Sequence, residues 1–320
     1  MAHTADHLGL TRARRRLTGE RHRLALLSMQ RHSCSPEHPI PSATNSQSRL
    51  EARALYALVD GFRANIILCK NTALGIAAVE PTPNRIVLFP APGLGLRVLA
   101  SLLPFNSERG LLGVPGLRPV WEKGCLYLRS LYDEGVIQFH DDGGQLLSVL
   151  ERGLVHPSLK QEFGEPLWPM SPRMPTPAEQ QHEDVARGRP FSDVRARLLS
   201  DLLRRHRLLV DIRRAGAHWV DLYDHTRRDL VVEWDCGPDD LIVSREMVKA
   251  GLYVRLNNPA RWSSPDSRTS SSLGSFLPGE GPILLRRQEC QDTRSWEPIL
   301  ARGESDLLTT SLPVPPRRTL

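Results

Sequence analysis

Lysine is almost missing from this chain. Among 320 residues only Lys70, Lys123, Lys160 and Lys249 occur, against 38 arginines, and the formal net charge is +6. Arginine's planar fork suits phosphate and carboxylate, so an excess gathered in one stripe would mark a nucleic-acid face. Here the arginines are spread along the chain, and a GC-rich coding sequence accounts for them more simply. Paired cysteine spacing is missing too: Cys34, Cys69, Cys125, Cys236 and Cys290 are odd in number and far apart. That is the usage of a reducing compartment, with Cys69 and Cys125 placed as small core residues in strands. No apolar run is long enough to cross a bilayer. Aromatic residues make up only 6%, which leaves few for stacking on bases, and Trp219 and Trp234 read as packing residues.

Catalytic signatures are also missing. The chain holds no Gly-x-Ser-x-Gly, no Walker loop, no His-Glu-x-x-His and no Gly-x-Gly-x-x-Gly after a strand. Gly93-Leu-Gly95 stands where a phosphate loop would, but lacks the third glycine. His32, Cys34 and His38 offer three metal ligands without a fourth nearby. His140-Asp141-Asp142 runs into Gly143-Gly144 and reads as a hairpin turn. The second acidic-histidine cluster, Asp221, Asp224, His225 and Asp229, reads as an outward strand position followed by a polar loop. No catalytic, metal or cofactor residue is assigned.

What is present is an α+β pattern in five stretches. Residues 1–48 crowd Arg12, Arg14, Arg15, Arg16, Arg21 and Arg23 ahead of Ser/Pro-rich sequence, which reads as a disordered basic tail dispensable for folding. Leu24-Ala-Leu-Leu27 is too short for a secretory core. The first unit, 49–156, predicts a helix over Leu50–Phe62, strands at Ile66–Leu68, Gly75–Val79 and Arg85–Phe89, and a helix over Leu94–Leu103. Seven prolines make 157–191 a linker. A second, partial unit, 192–256, opens with a helix from Ser192 to Arg205. The remainder, 257–320, is Ser/Pro-rich, with one strand at Ile283–Arg286.

An internal echo joins the two units. Cys125–Leu128, Gly135–His140, the turn Asp141–Gly144 and Leu146–Leu154 are matched by Leu208–Ile212, Trp219–Asp224, the loop through Asp229, Leu230–Val232 and Ser244–Leu252. Each copy ends on Gly-Leu, so Gly153 and Gly251, 98 residues apart, are expected at equivalent helix ends. The loops Asp141, Asp142 and Asp224, Asp229 are then the corresponding contact edges of the repeat.

The stretch Leu112-Gly113-Val114, Leu117–Val120, Cys125–Leu128, Gly135–Ile137, Leu146-Leu147 and Gly153-Leu154 resembles the repeating unit of the herpesvirus US-twenty-two tegument family. Upstream, Ile66–Cys69, Leu74-Gly75 and Ile86–Pro90 resemble the motif that opens that family's domain. The resemblance implies a duplicated α+β fold similar to SUKH immunity proteins. It also implies a non-enzymatic role: a virion tegument protein in the host cytoplasm or nucleus, binding host proteins that act in defence or cell death, and other virion proteins. Read from the residues alone, the competing function is nucleic-acid binding through the arginine-rich surface and tail, Arg14, Arg15 and Arg16 included.

Overall fold

Alternation of apolar and polar residues builds the first sheet. In the computed structural model, which describes residues 2–31, 34, 39–62, 72–108, 110–140, 157–187, 193–217, 220–224, 230–252, 254–255, 269–275 and 282–288, β1 (Ile76–Thr82) and β2 (Arg85–Pro90) form a hairpin. Their Val79, Ile86 and Leu88 point inward and are buried. The chain then turns through Gly93, whose φ of 76° is left-handed, and enters α4 (Gly95–Leu102). A meander follows: β5 (Leu117–Glu122), β6 (Cys125–Ser130) and β7 (Val136–Phe139). Lys123 and Gly124, both at positive φ, close its first turn. Strand β7 returns beside β2 and pairs parallel with it, so the sheet runs β1-β2-β7-β6-β5. Helix α3 (Asn45–Phe62) precedes the hairpin and packs on the inner side.

The second sheet repeats this plan. After α7 (Asp193–Arg204) and α8 (Arg207–Arg214) come the hairpin β9 (Val220–Asp224) and β10 (Leu230–Asp235). Next is α9 (Asp240–Lys249), capped by Asp239, whose carboxylate accepts the Leu241 N–H at 2.8 Å. The meander is β11 (Val254–Arg255), β12 (Thr269–Ser275) and β13 (Pro282–Gln288). Its last strand again pairs parallel with the second hairpin strand, giving β11-β12-β13-β10-β9. Leu88 faces Phe139 as Val232 faces Leu285, so equivalent positions lie 144 residues apart on the hairpin and 146 on the meander.

This corrects the predicted repeat, whose spacing was 98. Leu208–Ile212 is not a strand but lies within α8, where Leu208, Leu209 and Ile212 are buried at helical spacing. A five-residue apolar run is ambiguous between strand and helix, and here tertiary packing decides. Gly251 follows α9 with φ 70°, whereas Gly153 and the predicted helix Leu146–Leu154 lie outside the described residues, as does the predicted strand Ile66–Leu68.

The basic tail is not a disordered arm. Residues Ala2–Thr18 form α1 and His22–Arg31 form α2. Arg14 is fully buried and clamps Glu20 through two bonds, Nε to Oε2 at 2.7 Å and Nη2 to Oε1 at 2.9 Å. It also donates to the carbonyls of Pro39 and Pro81. Leu10, Thr11, Arg14 and Thr18 make one buried helical stripe, three of its four residues polar and so invisible to an apolar count, while Arg15 and Arg16 stay exposed. Residues 157–187 of the predicted 157–191 linker are structured too, with α5 (Pro157–Phe163), β8 (Glu165–Pro166) and α6 (Pro177–Arg187). Strand β8 joins β3 (Phe105–Ser107) and β4 (Gly110–Leu112) in a small third sheet. Phe105 there meets Phe163 and Trp168 at ring separations of 5.5 and 5.0 Å. The Ser-rich stretch Ser270–Ser272 likewise lies in β12.

The units meet along α3 and α7. Arg204 of α7 clamps Glu51 of α3 at 2.7 and 2.8 Å and donates to the carbonyls of Pro41 and Thr82. Both side chains are 0% exposed. A third clamp ties α6 to β5, Arg118 to Glu179, with both bonds at 2.8 Å. Burial alone would raise the Glu179 carboxyl, but the bonds from Arg118 and from the Thr176 and Gly116 N–H groups hold it below the usual range. Cys34 and Cys125 are free, while Cys236 is disulfide-bonded to a partner outside the described residues. That departs from the thiol-only reading of the five cysteines.

Candidate functional site

Inward residues of the first sheet form the core, so the alternate positions must face outward. On β2 these are Arg85, Val87 and Phe89, beside Glu80 on β1, Gln138 on β7 and Tyr127 on β6. His140 extends the same row just past β7, its N–H donating to the Leu88 carbonyl at 2.9 Å. Leu24 of α2 leans over one side. Together these residues line a groove of about 320 Å³, near the lower end of ligand-site volumes.

The groove has an apolar floor, an aromatic end and a charged end. Val87 is buried beneath it. At one end the Phe89 and His140 rings lie 4.8 Å apart at 43°. Tyr127 stands nearby with the Arg129 guanidinium 5.9 Å from its ring centre. At the other end Arg85 has a buried Nε with no hydrogen-bond partner. Glu80 is half-buried, and burial, then repulsion from Glu20, pushes its carboxyl above the usual range despite the opposing pull of Arg85. This arrangement can hold a ligand by stacking, by burial and by donation to an acceptor.

The equivalent face of the second sheet is filled instead. Register places Glu233 where the first unit has Phe89, Arg286 at His140, Tyr223 at Glu80 and Val231 at Val87. Glu233 is only 6% exposed and accepts from the Tyr223 hydroxyl at 2.7 Å, from Arg286 at 3.2 Å and from Gln288. Burial and the adjacent Glu233 charge push the Tyr223 hydroxyl up. Among the described residues of this face, Glu233 draws Tyr223, Arg286 and Gln288 into one network.

The predicted contact residues fall mostly beyond view. Asp141, Asp142 and Asp229 lie outside the described residues, and Asp224 ends β9 with its backbone opposite Leu230. His140, read from sequence as a turn residue, stands in the groove wall, and the Asp141–Asp142 pair follows it directly. Trp234 is fully buried and donates to the Pro238 carbonyl at 3.0 Å, a packing role as expected; Trp219 is outside the described residues. Sequence reading missed Arg85, Glu80, Tyr127 and Gln138. The signal available was the period-2 pattern of β2, whose polar and aromatic alternates share one face. Comparison with family models, curated proteins and solved structures gave no match.

Proposed function

We propose that this chain is a non-enzymatic binding protein built from two related α+β units of the SUKH-like kind, as the US-twenty-two tegument resemblance implies. In this reading it acts in the infected cell, in cytoplasm or nucleus and as a virion tegument component, by occupying host proteins of defence or cell death. The outer face of the first sheet is its recognition surface. The observation that carries this is the contrast between equivalent faces: one closes on itself through Glu233, while the other keeps aromatic, cationic and acidic side chains turned into an open groove. Rigid sheets carrying unfilled concave faces are where ligands bind.

Affinity capture from transfected cells tests it, using wild type beside Phe89→Ala plus His140→Ala and beside charge reversal at Asp141 and Asp142. A protein partner lost from the first variant, whose unfolding midpoint stays near wild type, supports the reading. Recovery of nucleic acid alone, with affinity falling steeply in salt, favours the arginine-surface alternative. Turnover that depends on His140 would make the protein an enzyme.

A further inference from the structure

Arginine is used in this fold as a buried clamp. Arg14, Arg118 and Arg204 each hold a carboxylate in two bonds and reach backbone carbonyls besides. Arg53, Arg97, Arg195 and Arg213 bury one nitrogen without a bond, but each keeps other partners. Arg85 is different. Among the described residues its guanidinium makes no hydrogen bond or ion pair, although its Nε is shut off from solvent. Arg85 lines the groove with its charge unmatched by any hydrogen-bonded carboxylate among the described residues, which leaves its guanidinium fork to an acceptor brought by a ligand.

We propose that the groove recognises an extended segment of a partner protein that sets an acidic side chain on Arg85 and an aromatic one against Phe89 and His140. The inference rests on the binding reading given above and adds the chemistry of its ligand. Charge complementarity selects the acid: a carboxylate meets the fork of Arg85 in paired, charge-assisted bonds. Glu80 lies diagonal to Arg85 across the hairpin, and burial, then repulsion from Glu20, pushes its carboxyl above the usual range, which lessens the charge set against a ligand carboxylate. The ring pair at the far end takes a planar apolar group by offset or edge contact. The spacing follows from β2: Arg85 and Phe89 are four residues apart, about 13 Å along a strand. An extended peptide lying along β2 therefore carries its acid and its aromatic residue four positions apart, with a small apolar residue midway over Val87.

The test is selection of a displayed random-peptide library on the full-length protein, followed by fluorescence polarisation of the enriched peptides as labelled probes. Enriched sequences are expected to pair Asp or Glu with Phe, Tyr or Trp at that spacing. Changing the acid to its amide, or Arg85→Gln in the protein, is expected to weaken binding at least about tenfold. Arg85→Lys recovers part of the affinity, since it restores charge without the fork. Because Arg85 makes no hydrogen bond or ion pair among the described residues and only attracts the half-buried Glu80 at longer range, the folded state of Arg85→Gln is expected to be close to wild type in stability. Enrichment of basic or purely apolar peptides, indifference to the acid-to-amide change or to Arg85→Gln, or no enrichment at all would overturn the proposal. Cell capture separates the two readings: a partner lost with Phe89→Ala and His140→Ala but kept with Arg85→Gln leaves protein binding standing and removes the acidic ligand.

Discussion

The two sheets share strand order, strand direction and helix placement, yet they spend the same surface positions differently. Phe89 and His140 stack beside an open groove; Glu233 and Arg286, their counterparts, form an ion pair within a closed network. In a duplicated architecture the scaffold demands only the inward residues, so Ile86, Leu88, Ile137 and Phe139 correspond to Leu230, Val232, Ile283 and Leu285, all buried. Outward residues are free to diverge. One unit closes its face through Glu233, and the other keeps Arg85 without a hydrogen bond among the described residues and lines a groove with it.

The N-terminal arm belongs to this difference because α2 contributes Leu24 to the first groove alone. Deleting Met1–Ser48 removes buried Leu10, Ala25, Met29 and Ile40 together with the Arg14–Glu20 clamp. The loss expected is more than about 5 kcal/mol, read as a large fall in the urea midpoint. Unchanged stability would restore the arm to a dispensable tail and detach the groove from it. Next in size is the seam between units. Arg204→Met leaves the buried Glu51 carboxylate without its counter-charge, held only by Gln47 and Ser200, and is expected to cost about 3–5 kcal/mol, whereas Arg204→Met combined with Glu51→Leu recovers much of it. If the single change unfolds one sheet and spares the other in hydrogen exchange, the units are more independent than their shared core implies.

Acid tests the same seam. His206, in the turn between α7 and α8, is fully buried beside the backbone of Ile76 and Ala77, and burial, then the neighbouring Arg207 charge, lowers its pKa to about 3. Folded, it stays neutral; unfolded, it takes a proton below the ordinary histidine value of 6.5. Its stabilising contribution is thus complete above pH 6.5 and is lost as pH falls toward 3, at up to roughly 1.4 kcal/mol per pH unit. Denaturant midpoints across that range are expected to fall less steeply in His206→Phe than in wild type. Smaller still is the cost of opening the second face: Glu233→Ala strands Tyr223, Arg286 and Gln288 and is expected to lose about 1–3 kcal/mol, where Arg85→Gln in the first unit loses nothing measurable.

The parts of this fold legible in the sequence are those with apolar periodicity. Asn45–Phe62, Arg85–Pro90, Gly95–Leu102 and Asp193–Arg204 all fall within a few residues of their predicted spans. Where stability comes from buried charge, the pattern is silent. Arg14, Glu20, Glu51, Glu179 and Arg204 look like solvated residues in a composition count, so the sequence of α1 and α6 reads as tail and linker. The repeat was legible as an idea but not in its period, since Gly-Leu endings are common while the pairing β2 with β7 and β10 with β13 is long-range. The groove escaped for a related reason: its residues come from four strands and a helix and share no local motif.

The central claim is that one face binds and its counterpart supports. Arg85→Gln and Glu233→Gln, measured side by side for urea midpoint and for affinity toward an acidic-aromatic peptide selected on the wild-type protein, test it most directly. The account predicts that Arg85→Gln loses at least about tenfold in affinity at an unchanged midpoint, while Glu233→Gln lowers the midpoint and binds as wild type does. Equal effects of the two substitutions on both quantities, or their exchange, would contradict it.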